Sequence, residues 1–127
     1  MNPQITSIMT PVDLKLRTKK FAVRVIRMTE TLPRNRVADV VGRQVLRSGT
    51  SVGANYRAAC RAKSRADFVS KMGTVEEECD ESLFWMEILV DNNLVKESRL
   101  RSLRQEGTEI LSIIVTSAKT ARTSKSS

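Results

Sequence analysis

The feature that most constrains the fold is the spacing of small and apolar residues between positions 68 and 89. They recur at alternating intervals of four and three, at Phe68, Met72, Val75, Cys79, Ser82, Met86 and Leu89. Such a heptad repeat lines one face of a helix and is typical of helices that pack nearly parallel to a neighbour. It predicts a long helix over about residues 65–91 with this stripe facing a bundle interior.

Three further segments, at about 11–32, 35–62 and 97–119, show stripes of helical period. Their inward positions are Leu14, Phe21, Val25, Met28 and Leu32; Val41, Val45, Ser48, Val52, Tyr56 and Ala59; and Leu100, Leu103, Gly107, Ile110 and Ile114. Short connections make consecutive helices antiparallel neighbours. The prediction is an all-α fold, an antiparallel up-down-up-down four-helix bundle over residues 12–119. A flexible N-terminal arm (1–11) and a flexible tail (120–127) flank it.

Residues at the segment ends support these boundaries. Thr10 can cap a helix whose first residue is Pro11, where the missing N–H costs nothing. Ser64 and Asp67 form the spacing of a capping box. The third helix is predicted to stop near Asp91, Asn92 and Asn93, where an asparagine can take the left-handed conformation that ends a helix.

The centre of the second segment is unusually rich in small residues. Gly49 and Gly53 together cost a helix on the order of 2 kcal/mol relative to alanine. That cost needs an offset, and close approach of a neighbouring helix supplies one. The sequence therefore predicts tight helix packing at this point.

The composition excludes several classes of function. The chain has no histidine, the commonest general base and transition-metal ligand. Cys60 and Cys79 lack the spacing of a redox or zinc site and are expected to be reduced. No stretch of 18 apolar residues and no signal peptide are present. We therefore expect a cytoplasmic protein without cofactor, metal or membrane contact, and not an enzyme.

The net charge of +8 is unevenly distributed. Residues 1–66 hold 14 Lys/Arg against 3 Asp/Glu, whereas residues 67–127 hold 8 against 11. Basic residues lie on one line of each of the first two helices: Arg17, Lys20, Arg24 and Arg27, then Arg43, Arg47, Arg57 and Arg61. Guanidinium groups bind phosphate oxygens, and few aromatic residues are present to stack on bases. The pattern predicts sequence-tolerant binding of RNA or DNA through the backbone.

Helices three and four carry more apolar residues than one interior requires. The surplus positions are Leu83, Phe84, Trp85 and Ile88, with Leu111, Ile113 and Val115. Exposed apolar patches of this kind mark interaction sites. We expect them to form an interface between copies of the chain.

An acidic cluster spans residues 76–81. Glu78 and Ser82 lie nearest the seam and can meet Ser48, Ser51 or Asn55 of the second helix. The prediction is a structural polar layer of Ser48, Ser51, Asn55, Glu78 and Glu81, with a buried carboxylate among hydroxyls and an arginine. A hydrolase that uses the two carboxylates is the catalytic alternative. The near-seam position of Glu78 argues against it, because a catalytic carboxylate must be accessible.

Two segments resemble a known family. Residues 44–57, QVLRSGTSVGANYR, and residues 78–87, ECDESLFWME, are similar to the second-helix and third-helix motifs of the bacterial four helix bundle protein family. Its members are encoded by intervening sequences in large-subunit ribosomal RNA genes, or are free-standing relatives. The resemblance covers about residues 12–122.

The resemblance implies an up-down bundle that assembles as a ring-like homopentamer. A related branch, the accessory variability proteins of diversity-generating retroelements, binds nucleic acid and a reverse transcriptase. It therefore adds an alternative function, a protein–protein adaptor for a reverse-transcriptase-like partner. Arg47, Ser51, Asn55, Glu78 and Glu81 match the family pattern. Ala58 departs from it, because the family usually has Glu there, and any polar or subunit contact of that Glu is lost.

Overall fold

The computed structural model describes residues 9–124, which form four helices and no strand. Helix α1 spans Pro11–Thr29, α2 Arg36–Ala59, α3 Arg65–Asp91 and α4 Glu97–Thr123. Each helix packs on the next along the chain, and α4 returns to α1 in the sparsest of the contacts. Diagonally placed helices bring no Cα atoms within 8 Å of each other. The predicted all-α four-helix bundle is confirmed.

Side-chain caps define where the helices begin. Thr10 accepts a hydrogen bond from the amide of Asp13 at 3.1 Å, and the Asp13 carboxylate accepts one from the Thr10 amide. Ser64 accepts from the Asp67 amide at 3.0 Å, as predicted. The predicted reciprocal bond is replaced, because the Asp67 carboxylate accepts from the Lys63 amide instead.

Helix α3 ends as the sequence predicts. Asn93 has a φ of 59°, in the left-handed region. Its amide donates to the Val90 carbonyl, and the Leu94 amide donates to the Leu89 carbonyl. These two bonds form a Schellman motif, which satisfies carbonyls that the helix leaves free.

Three predicted boundaries were wrong. Helix α2 ends at Ala59 rather than at about residue 62, because the chain tightens into short-range hydrogen bonds such as Ala62 N–H to the Ala59 carbonyl. Helix α1 ends at Thr29 rather than at Leu32, because the chain tightens into short-range hydrogen bonds such as Leu32 N–H to the Thr29 carbonyl. Helix α4 continues to Thr123, so residues 120–123 are not a tail. Ala118 is buried there and keeps the last turns against the bundle. Residues 1–8 and 125–127 of the predicted arm and tail lie outside the described residues.

The predicted stripes form the core. Every inward position of α2 and α4 is buried, as are Met72, Val75, Cys79, Ser82, Met86 and Leu89 of α3. Thr18 of α1 is also fully buried, which the sequence analysis missed. Its hydroxyl donates to the Leu14 carbonyl at 2.9 Å, so it enters the core without an unpaired polar group.

The two glycines of α2 lie where α1 comes close. An added Cβ at Gly53 would lie 3.1 Å from the Thr18 hydroxyl oxygen and 3.3 Å from the Thr18 backbone. One at Gly49 would lie 2.9 Å from both methyl groups of Val25. The predicted tight packing is thus confirmed. No helix within residues 9–124 has the length and apolarity needed to span a membrane.

Candidate nucleic-acid interface and self-association surfaces

The basic line of α2 faces solvent. Arg43, Arg57 and Arg61 are exposed, and among residues 9–124 only Arg43 of the three approaches a carboxylate, that of Asp39 at 3.9 Å. Thr50 and Ala54 lie between the two ends of the line. Three guanidinium groups therefore lie along one accessible helix face.

Arg47 belongs to the same line but has partners within the bundle. Its guanidinium donates to Glu78 at 3.2 Å and also to Glu81 of α3. Glu81 additionally accepts from the Trp85 indole N–H at 3.1 Å. This network joins α2 to α3 and leaves Arg47 only half accessible.

The predicted polar layer therefore has different partners. Ser48 and Ser51 donate to carbonyls one turn earlier in their own helix, those of Gln44 and Arg47, and the Asn55 amide donates to the Ser51 carbonyl. Helical hydroxyls commonly bond back in this way, so they do not need the carboxylates. Glu78 and Glu81 pair with Arg47, as expected for a network that includes an arginine, but not with these hydroxyl and amide groups, which corrects that part of the prediction.

The basic line of α1 divides into two parts. Arg17 turns toward α4 and makes two 2.8 Å bonds to Glu106 and one of 2.7 Å to Glu109. These bonds raise the pKa of Arg17 and lower that of Glu106. Arg24 donates to Ser102 of α4 at 2.9 Å. The two arginines thus link α1 to α4, and Lys20 and Arg27 are left exposed on the line.

A groove between α1 and α2 brings basic groups from both helices together. Lys15 and Lys19 of α1 lie on one rim and Arg57 of α2 on the other, around a cavity of about 440 Å³. Gly53 and Ala54 form part of its lining. No acidic residue lines it, so its potential is positive.

The groove lysines were missed because a groove depends on which sides of two helices meet. Lys15 and Lys19 lie one turn apart, which the sequence shows. Their proximity to Arg57 follows only from the close α1–α2 packing at Gly53. The small residues of α2 were the available signal, since they indicate where a neighbouring helix comes closest.

The predicted self-association residues are only partly accessible. Phe84 is 49% exposed and Val115 is 39% exposed. Leu83, Trp85, Ile88, Leu111 and Ile113 are half-buried against their own core. Phe84 packs edge-on against Trp85 with ring centroids 4.9 Å apart.

More apolar surface is exposed on the other half of the bundle, which the sequence analysis missed. Four residues of α1 form what we call the α1 ridge: Val12, Leu16, Val23 and Ile26, exposed by 73%, 52%, 39% and 40%. Val37 and Val40 at the start of α2 are each 53% exposed. The α1 ridge residues have a helical spacing in the sequence. Lysines and arginines lie between them, so the sequence analysis assigned this side of the helix to the basic residues.

Comparisons with known proteins agree with this architecture. The family described as "23S rRNA-intervening sequence protein" matches residues 12–116. A crystal structure of a protein with unknown function, from the S23 ribosomal protein family of Bacteroides thetaiotaomicron VPI-5482, is similar with a TM-score of 0.82 and 34% identity. The alignment covers 88% of this chain and 100% of that one. No curated protein matches.

Proposed function

Since this chain belongs to the 23S rRNA-intervening sequence protein family, we propose that it is a non-catalytic, homo-oligomeric scaffold that binds RNA or DNA. We propose a pentamer as its assembly, following the family resemblance of its helix motifs. We also propose that it acts in the cytoplasm, the compartment of the ribosomal RNA named in the family's description.

The α1–α2 groove carries the proposal of nucleic-acid binding. It combines cations from two helices, Lys15, Lys19 and Arg57, and none of them lies within ion-pair distance of a carboxylate among residues 9–124. Unpaired cations are free to replace the counterions of a phosphate backbone. Arg61, one turn beyond Arg57, extends the same basic surface. The lining lacks aromatic side chains, so bases are not stacked there.

The test removes the three groove charges together in the triple variant Lys15→Gln, Lys19→Gln, Arg57→Gln. Binding to a mixed-sequence single-stranded RNA is measured between about 50 and about 300 mM salt. The matched control is Lys96→Gln, Lys119→Gln, Arg122→Gln. It removes two lysines and one arginine from exposed positions at and beyond the start of α4, which does not pack on α2.

The groove variant should bind more weakly at low salt and lose part of its salt dependence. For single strands the slope of log affinity against log salt changes by roughly 0.7 per phosphate contact, so three contacts reduce it by about 2. The control should keep the wild-type slope. Equal slopes for both variants, or wild-type affinity unchanged across the salt range, would rule out the groove.

Self-assembly is tested separately by light scattering at micromolar protein concentration. The proposal requires a mass of several chains, and five chains for the pentamer. A mass of one chain would refute it without bearing on the groove.

The exposed α1 ridge supports a second candidate function, an adaptor that binds another protein such as a reverse-transcriptase-like enzyme. A phosphate backbone offers no apolar surface to cover four outward apolar side chains, whereas a protein partner can bury them. Recovery of one stoichiometric partner from nuclease-treated lysate by the wild type, and its loss in a Leu16→Glu variant, would favour the adaptor. Recovery that depends on nucleic acid would favour the scaffold.

A further inference from the structure

The α1 ridge lies directly opposite the side of α1 that packs into the core. Positions 12, 16, 19, 23 and 26 step by four and three, with Lys19 at the one position that is not apolar. The buried residues Leu14, Phe21 and Val25 occupy the other side of the helix. Helix α1 therefore has two seams of heptad spacing, of which the bundle uses one.

Basic side chains flank the α1 ridge on the side toward α4. Lys20 and Arg27 are exposed, and no carboxylate among residues 9–124 lies within ion-pair distance of either. Flanking charges of a heptad seam select a partner of opposite charge. The surface that fits this ridge is thus apolar with acidic flanks.

Helix α3 presents an acidic line with one apolar residue at its centre on its outer side, which we call the α3 ridge. Its members step by three and four and are all exposed: Glu77, Asp80, Phe84, Glu87 and Asp91. None of the four carboxylates lies within ion-pair distance of a cation among the described residues. Phe84 supplies an apolar centre, 49% exposed.

Two exposed apolar residues of α2 lie level with the C-terminal half of α3. The Arg47–Glu81 pair fixes the antiparallel register of α2 and α3. At 1.5 Å per residue this register places Val40 level with about Glu87, and Val37 about one turn further on. Both valines are 53% exposed.

We infer that the α1 ridge of one copy docks on the α3 ridge of a second copy. The inference rests on the self-assembly proposed above and names the two surfaces that make it. Helices α1 and α3 are diagonal in the bundle and both ridges are exposed on its outside, so the two faces can meet only between copies. Because each copy offers one face of each kind, the contact is heterologous and closes into a ring when the rotation allows. An odd-numbered ring such as a pentamer requires a contact of this type.

The docked surface borders the groove. Leu16 and Lys19 line the groove and also lie on the ridge, whereas Lys20 and Arg27 lie on the α4 side of the ridge. Lys15 and Arg57 are groove cations that lie outside the ridge, so a second copy would share only part of the phosphate-binding surface.

The test uses two variants that each damage one face. Leu16→Glu with Val23→Glu places carboxylates on the α1 ridge, where they meet the acidic α3 ridge. Phe84→Lys with Glu87→Lys places cations on the α3 ridge, where they meet the basic flank of α1. All four positions are exposed, so each variant should keep the wild-type helical circular dichroism.

Each variant alone should raise the dissociation constant of assembly roughly 100-fold or more, because central apolar residues dominate interface affinity. A matched control, Thr108→Glu with Ser112→Glu on the exposed face of α4, should assemble as the wild type does. A control that dissociates equally would overturn the assignment of faces.

Mixing the two damaged variants gives the sharpest result. Each retains the face that the other lacks, so an equal mixture should form a complex of one chain of each kind and grow little further. If the α3 variant alone assembles like the wild type, the α1 ridge pairs with itself and the inference is wrong. If the wild type is monomeric, the proposed self-assembly fails instead, and the two failures are told apart by that measurement.

Discussion

Replacing Gly49 with alanine tests whether the close packing of α1 on α2 excludes a side chain at position 49. The new Cβ would lie 2.9 Å from both Cγ atoms of Val25, a fully buried side chain. Val25 is β-branched and has essentially one χ1 rotamer in a helix, so it cannot swing away. Either Val25 leaves its rotamer or α1 shifts away from α2.

Two opposing terms set the magnitude. Alanine gains about 1 kcal/mol over glycine in a helix interior. Overpacking of a dense core costs about 1–3 kcal/mol. The expected net result is a loss of about 1 kcal/mol in the free energy of unfolding.

Gly73 provides the matched control, because it also lies inside a helix but has nothing within 4 Å of its would-be Cβ. Gly73→Ala should therefore gain about 1 kcal/mol. Urea unfolding followed by circular dichroism gives both values, at one protein concentration because assembly adds to stability. If Gly49→Ala stabilises the protein as much as Gly73→Ala does, Val25 or helix α1 moves aside at no cost in stability, and the reasoning is wrong.

Arg17→Met should lower the free energy of unfolding at pH 7 by about 1 kcal/mol, since its ion pairs are partly exposed. Arg17 holds the pKa of Glu106 below its usual value of 4.5, so this stabilisation is present above that value and is lost as pH falls through the lowered pKa; a difference that stays constant in acid would contradict the pairing. Iodoacetamide at neutral pH should modify Cys60 but not Cys79, because burial raises the pKa of Cys79 to about 12; mass spectrometry showing both modified in the folded protein would refute this. Thr10→Ala should cost about 1 kcal/mol by removing the α1 cap, and Thr10→Ser should restore most of it.

The sequence predicted the core because burial imposes a period on each helix separately. The spacing of residues within α3 was enough to predict its buried stripe. Six of the seven residues of that stripe, from Met72 to Leu89, are buried. The end of α4 was missed because residues 119–123 are polar in composition. Ala118, buried by its neighbours, shows that packing rather than composition decides where the helix ends.

Contacts between helices were less predictable, because they depend on residues far apart in the chain. Arg17 has the same spacing as the exposed residues of its line, yet Glu106, 89 positions later, accepts its hydrogen bonds. The hydroxyls of Ser48 and Ser51 were expected to seek carboxylates, but carbonyls of their own helix are closer. In both cases the sequence analysis identified a polar residue that forms hydrogen bonds but predicted the wrong partner for it.

The outer faces of the four helices differ in chemistry more than folding requires. A bundle constrains only the inward stripe, and an ordinary solvated surface mixes charges of both signs. Here α1 presents apolar residues with cations, α2 arginines and α3 carboxylates around Phe84, whereas α4 mixes hydroxyls with charges of both signs. Separation by helix means that each face points in its own direction from the bundle axis. Faces of different chemistry can therefore recruit different partners, and assembly through the α1 ridge meets phosphate binding in the groove at Leu16 and Lys19, which lie on both surfaces.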